Sequence, residues 1–339
     1  MKKFICLTLL LSAYALVGEA QKADVPPVFQ NQQPLTLSLS FSIKEVKKNT
    51  VDTVYFPSTL KFKNDEGAMD SIPVRIRARG NFRRANCFFP PIRMKMKKGD
   101  AEKTIFTGNK DFKLVLPCQT AKSGNDLIMK EYLSYKLLEP LTPYHFHTRL
   151  ADITLTDKSG KPKIYTVRGF LIEDDDLIAH RFNGKVVEQQ IHPMQLNDTA
   201  SVVNDLFQFM IANTDWSATG QHNTKIIQLP PSKKIPLAYD FDMAGLVNAP
   251  YATVNETLSI SSVQERLYRG YCRNEATVQF VRSEYLRHEK DLMKVISDHQ
   301  SYFNERDYSG INKFIEDFYA ILKSDKRFKD AIITGCRTK

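Results

Sequence analysis

The 339-residue sequence predicts an α+β protein of two lobes, a β-rich front over residues 35–173 and a mainly helical rear over residues 174–339. Three observations predict it. Between residues 35 and 172, apolar and polar side chains alternate in several short runs, the period of strands with one wet face. From residue 199 onward, apolar side chains recur at helical spacing, the period of a helix with one buried stripe. Between these halves, residues 211–245 concentrate polar side chains among apolar runs, and a polar loop held by ordered elements at a lobe junction is where a site is expected.

The chain starts with MKKFICLTLLLSAYALVGEA, residues 1–20: basic residues, an apolar stretch and a small-residue end, which read as a secretory signal. Residues 21–34, polar and proline-containing, read as a flexible lead-in. No later segment approaches the roughly 18 apolar residues of a membrane span, so the chain is expected to be exported, to a periplasm, a cell surface or the medium. Its formal net charge of +10 favours anionic partners. That charge is spread along the chain, with no basic block, helix-turn-helix, zinc-finger or stacking signature, so no nucleic-acid partner is expected. Of the five cysteines, Cys6 falls in the leader, leaving Cys87, Cys118, Cys272 and Cys336 for an oxidising compartment. Three pairings are open, and the simplest joins Cys87 to Cys118 and Cys272 to Cys336. The spacings fit no zinc motif.

In the front half, strands are expected over 35–41, 51–62 and 74–78, joined as an antiparallel meander. Arg79-Gly80-Asn81 then makes a cationic turn. With Arg83 and Arg84 beside the amides of Gly80 and Asn81 it suits an anion, and a solvated hairpin tip is the plain alternative. Residues 92–97 continue as a strand with basic residues on one face. Lys113 interrupts an apolar strand over 112–117 and asks for a partner. Glu131, in the helix expected over 125–138, is placed to face it, unless Lys113 snorkels to solvent. Residues 149–156 and 165–172 form a hairpin through Asp157-Lys158-Ser159-Gly160. Glu173 and the acids after it lead into a helix over 176–182, where negative charge opposes the helix dipole. His145 and His147 have no carboxylate at ligand spacing and read as structural.

In the rear half, helices are expected over 202–211, 263–268, 277–296, 308–322 and 328–333, with strands over 224–229 and 235–239. Asp215, His222 and Asn223 fall at the entrance of that hairpin, and Asp240 and Asp242 at its exit, so their oxygens converge at one open end. Carboxylate and amide oxygens are what a hard divalent cation takes, commonly together with substrate phosphates. Asp and Asn are also favoured turn residues, which is the plain reading of the same positions. Arg266, Arg269 and Arg273, on an expected helix around 263–273, form either a wall for an acceptor or phosphate or a salt-bridged helix face.

In chain order these parts are a basic glycine turn, a strand lysine, a helix glutamate, a crossover strand, an Asp/Asn loop and an Asp after a hairpin, the order found in protein kinases. The chain resembles the spore coat protein H (CotH) family of atypical secreted kinases in RARGNFRR with PPIRMKM, EYLSYKLL, RGFLIEDDDLIAHR, NTDWSATGQHN and AYDFDMAG, over about residues 72–245. It also resembles a group of exported bacterial proteins that carry NTDWS, HN and YDFD with a late RLYRGYC. The resemblance implies a protein-kinase-like two-lobed fold and ATP with Mg2+ or Mn2+ as cofactor. It implies Asp215 as the catalytic aspartate and Asn223 and Asp240 as metal ligands, with Asp242 competing with Asp240. It further implies Lys113 as the phosphate lysine, with Lys95 competing, and Arg79, Gly80 and Asn81 over the phosphates. Glu131 would orient the lysine, and Glu173 would lie near the adenine.

The first functional expectation is therefore transfer of a phosphoryl group from a nucleotide to a hydroxyl on an exported protein or glycan. The second is a non-catalytic, kinase-shaped envelope or binding protein for an anionic polymer. A metal-dependent hydrolase using Asp215, His222, Asp240 and Asp242 is the third, and it leaves Lys113 and Glu131 without a role.

Overall fold

The computed structural model describes residues 25–120 and 122–338. The secretory signal expected over residues 1–20 lies outside the described residues. The lead-in is packed from Val25 on. A one-turn helix, Pro27–Gln30, buries Val28 and Phe29. The buried Arg149 guanidinium donates to the main-chain oxygens of Val28 and Gln33, both at 3.0 Å. A flexible tether was expected there, but two apolar residues within a polar segment were enough to dock it on the sheet.

Seven strands form the front: β1 (Leu35–Phe41), β2 (Phe56–Lys63), β3 (Met69–Ala78), β4 (Ile92–Met96), β5 (Asp111–Val115), β6 (Thr148–Asp157) and β7 (Lys163–Ile172). They run β1-β2-β3-β4-β5-β7-β6 and close into a barrel, because β1 also pairs with β6 in parallel, from Leu35 against Ala151 to Phe41 against Asp157. This closure corrects the two-lobed, protein-kinase-like plan; the broader α+β class holds. The alternation that marked each strand sets which side chains face inward, but it does not say which strand covers the last edge. Pairing β1 with β6 satisfies the edge groups that an open sheet would leave exposed.

The barrel core is filled from every strand, with Phe62, Phe106 and Phe112 stacked edge to face at centroid distances of 4.9 and 5.2 Å. Such aromatic pairs add about 0.5–1.5 kcal/mol each beyond the area they bury. Gly169 on β7 permits the close approach of β5, since a Cβ there would stand 2.4 Å from the Val115 oxygen. The disulfide Cys87–Cys118 ties the segment after β3 to the chain leaving β5.

The helix Lys122–Leu138 packs against β7 and, with the rest of the chain, encloses a second and larger core. The helix Asp175–Arg181 leaves the barrel, followed by β8 (Lys185–Val186) and the helix Asp198–Met210, which is capped by Asn197. Strands β9 (Thr224–Leu229) and β10 (Lys233–Ala238) form the expected hairpin, with β8 added to its edge. The single helix expected over 277–296 is two helices in succession. The chain breaks at His288, giving Glu275–Arg287 and Glu289–Asp298, and His288 Nδ1 lies 2.7 Å from the Asp291 carboxylate. The helix Glu305–Leu322 completes the rear core.

The helix expected over 263–268 is absent. That stretch is irregular, because its arginines reach main-chain oxygens of the surrounding core instead of lining one helix face. Arg266 donates to Met210 at 3.2 Å, and Arg269 to Trp216 at 2.9 Å and to Thr214. Arg273 pairs with Asp198 at 2.5 Å. The disulfide Cys272–Cys336 pins this segment to the chain end, so both bridges follow the simplest pairing. Among the described residues, no helix is long and apolar enough to cross a membrane.

Candidate functional site

A cleft of about 430 Å³ lies between the barrel wall and the loops at the open end of the β9–β10 hairpin. Its barrel side carries Arg77, Arg93 and Lys113, which are direct neighbours across β3, β4 and β5 in the strand register. Like charges set side by side across strands repel one another, and here each is met by carboxylates: Arg77 by Asp52, Arg93 by Asp111 and Asp174, and Lys113 by Asp175. Arg79, Gly80 and Asn81 form the turn at one end of the row, with Gly80 at φ 70. A positive φ costs glycine little, and here it lets the turn fold over the cleft mouth.

The facing side carries Asp215, His222, Asn223, Lys225, Asp240 and Asp242. Asn223 donates from Nδ2 to the Asp215 main-chain oxygen at 2.7 Å and to Asp215 Oδ2 at 3.0 Å. The other carboxylate oxygen of Asp215 lies 3.0 Å from His222 Nε2, and this hydrogen bond raises the His222 pKa above its ordinary value of 6.5. Both side chains are about half exposed, at 44% and 59%, so the pair is open to a ligand. Asn223 and Asp240 adopt left-handed backbone conformations, φ 49 and 64, which Asn and Asp tolerate better than other side-chain-bearing residues.

The two loops are held against each other below the cleft. Gly245 and Leu246 donate to the main-chain oxygens of Ala212 and Ile211, each at 3.0 Å. A Cβ on Gly245 would stand 2.3 Å from the Val263 oxygen, so only glycine fits this crossing. The Asp240 main-chain N–H donates to the Tyr135 hydroxyl at 2.8 Å.

The expected residues separate into two groups. Arg79, Gly80, Asn81, Lys113, Asp215, Asn223, Asp240 and Asp242 line one cleft. Glu131 and Glu173 do not. Glu131 is buried and pairs with Arg83 at 3.3 Å, while Lys113 pairs with Asp175, not with Glu131. Glu173 is buried and held by both oxygens on Arg181, at 2.5 Å, in the barrel-to-helix connection. Burial pushes its pKa up to about 6, against the pull of Arg181. Lys95 stands on the outer barrel wall, 3.5 Å from Asp111, so of the two competing lysines Lys113 is the one in the cleft.

Asp240 and Asp242 differ in the same way. Asp240 is part-exposed and lies 3.8 Å from Arg79, whereas Asp242 is buried and 3.7 Å from Arg83 Nε. Burial raises the Asp242 pKa to about 6, with Arg83 opposing and Asp240 adding to the rise. Among the described residues, no group of three or more His, Cys, Asp or Glu is arranged to hold a metal ion.

Arg77, Arg93, Asp175 and Lys225 were not foreseen as cleft residues. The alternation of β3 and β4 was legible, but the side-by-side placement of Arg77, Arg93 and Lys113 follows from cross-strand register, which one strand's pattern does not carry. Asp175 sat in an acidic run that a helix N-terminus already accounts for. No protein-family model matches the chain, and no curated protein matches it.

Proposed function

We propose that the cleft transfers a phosphoryl group from a nucleotide, with Mg2+ or Mn2+, to a hydroxyl of an exported protein or glycan, as the resemblance to the CotH family implies. The observation that carries this reading is the opposition, within one cleft, of the Arg77-Arg93-Lys113 row to an accessible Asp215 whose carboxylate is oriented by both Asn223 and His222. Phosphoryl transfer needs little covalent chemistry from the protein. It needs positioned cations around the phosphates and a carboxylate for the acceptor hydroxyl.

In this reading the cation row and Arg79 hold the phosphate oxygens. Asp215 orients the acceptor hydroxyl and takes its proton late. Asn223 uses its amide nitrogen to fix Asp215, which leaves its carboxamide oxygen as a donor to a cation. Asp240, part-exposed and only loosely paired with Arg79, supplies the carboxylate. Two protein oxygens are few for a dedicated cage but suit Mg2+, which binds through one or two carboxylates together with substrate phosphates. When bound, the ion neutralises phosphate charge. Asp242 supports from behind, engaged with Arg83.

The test is thermal unfolding of residues 21–339 with ATP and Mg2+ or Mn2+, beside Asp240→Ala. A ligand that binds only the folded state raises the midpoint by mass action. A metal-dependent rise with ATP that Asp240→Ala abolishes supports the reading. A folded protein with no shift under any nucleotide overturns it and leaves the excess cations of the cleft to a nucleotide-independent anion binder.

A further inference from the structure

The outer wall of the barrel continues the cation row away from the cleft. Arg75, Arg77 and Arg79 occupy alternate positions of β3 and its turn, and Arg93 and Lys95 do the same along β4, with Lys97 just past its end. The register sets Arg75 opposite Lys95 and Arg77 opposite Arg93, pairings of like charge that weaken a sheet and call for an external partner. The Tyr55 ring lies beneath three of them, 5.9 Å from Arg75, 5.6 Å from Arg77 and 5.2 Å from Lys95.

The carboxylates nearby leave part of this charge unmatched. Asp52, 78% exposed, pairs with Arg77 at 2.6 Å, while Arg77 itself is only 12% exposed and also donates to the Tyr55 hydroxyl at 3.2 Å. Asp111 serves both Arg93 and Lys95, at 2.8 and 3.5 Å, and Asp174 adds a second carboxylate to Arg93 at 3.3 Å. Among the described residues, no ion pair engages Arg75 or Lys97, and both are exposed. Beside Tyr55 the loop before β2 exposes Val51 and Val54. The path is continuous, because Arg77, Arg79 and Arg93 also line the cleft.

We propose that this wall docks an extended acidic polypeptide segment, with carboxylates at alternate residues, and leads it into the cleft. Its direction into the cleft rests on the phosphoryl-transfer reading, with the segment bringing the acceptor hydroxyl. Same-face side chains of an extended chain recur every ~6.6–6.8 Å, the repeat of alternate positions on β3 itself, so such a segment meets Arg75, Arg77 and Arg79 in step. A block of consecutive acids points half its carboxylates away. The apolar margin of Val51 and Val54 favours a polypeptide, whose intervening side chains can be apolar, over a uniformly polar polyanion.

The experiment is fluorescence anisotropy on the nucleotide-free protein. The probes are a labelled peptide of alternating glutamate and serine, a peptide of the same composition with its glutamates in one block, and polyglucuronate as a competing acidic glycan. The variant is Arg75→Glu with Lys97→Glu, both exposed, outside the cleft and outside any ion pair, with its thermal midpoint measured alongside. The alternating peptide is expected to bind more tightly than the block peptide, to weaken about tenfold in the variant, and to weaken with salt. Equal binding by the folded variant, equal binding of the two peptides, or stronger binding of polyglucuronate than of either peptide overturns the proposal. Because no nucleotide is present, loss of this binding and loss of the ATP-dependent midpoint shift are separate results.

Discussion

The Arg83 guanidinium lies 3.3 Å from Glu131 and 3.7 Å from Asp242, with all three side chains buried, so one cation joins the barrel turn, the long helix and the exit of the β9–β10 hairpin. Burial opposes the charge on Arg83, and the two carboxylates together outweigh it and raise its pKa. Burial also pushes Glu131 up to about 8, against the pull of Arg83.

Removing the cation leaves two buried acids unpaired. Arg83→Met is expected to cost about 3–5 kcal/mol, measured by denaturant unfolding. Adding Glu131→Gln is expected to recover part of the loss. The deficit should be largest in alkali and shrink as pH falls through about 8 and about 6, where Glu131 and Asp242 take up protons, and an equal deficit at all pH values counts against the pairing.

The hydrogen bond between His222 and Asp215 favours the imidazolium. In an NMR titration the His222 midpoint is expected above 6.5 in the native protein and to fall in Asp215→Asn. Because the folded pKa is raised, the stabilisation from this contact is full below the unfolded pKa and lost as pH rises through the folded one. An unchanged midpoint in Asp215→Asn would show that the pair does not form.

Asp205, fully enclosed beside Asn204 and near Arg273, has its pKa pushed up by burial to about 7. A buried acid raised in this way binds its proton more tightly when folded, so its contribution is present below about pH 4 and lost as pH rises towards 7. Asp205→Asn, which mimics the protonated acid, is expected to match the native midpoint below about pH 4, to exceed it increasingly as pH rises to about 7, and to stay several degrees above it in mild alkali. A midpoint lower than native at every pH sinks this account.

Arg269 holds the Asp215 loop from beneath through the Thr214 and Trp216 carbonyls. Arg269→Ala is expected to cost about 1–3 kcal/mol from the carbonyls left unpaired. Hydrogen exchange should quicken at residues 214–223 more than in the barrel. Uniformly faster exchange would mean that Arg269 supports the whole fold and not this loop.

Strands were the most legible part of the chain, because alternation at period two is written locally; β1, β4, β7 and the β9–β10 hairpin fall within a few residues of expectation. Helices were legible where an apolar stripe ran on, as in Glu305–Leu322, and misread at residues 263–268, where arginines at helical spacing serve carbonyls of other segments. The convergence of Asp215, Asn223 and Asp240 was visible because a short hairpin brings its entrance and exit together. The partners of Lys113 and Glu131 were not, because residue types alone do not choose among several acids and bases near in space.

By itself, the sequence determined the α+β class, the strand and helix positions set by local periodicity, the basic charge, and the acid-rich mouth of the hairpin. Tertiary structure decided the rest. The parallel pairing of β1 with β6 closed a barrel where an open lobe was expected, and cross-strand register set Arg77, Arg93 and Lys113 in one row. Burial gave Glu131 to Arg83 and Glu173 to Arg181 and kept Asp240 in the cleft. The physical reason is common to all of these. Periodicity and turn chemistry act over a few residues, whereas strand closure, register and the pairing of buried charges depend on which distant segments share a surface and exclude water from it.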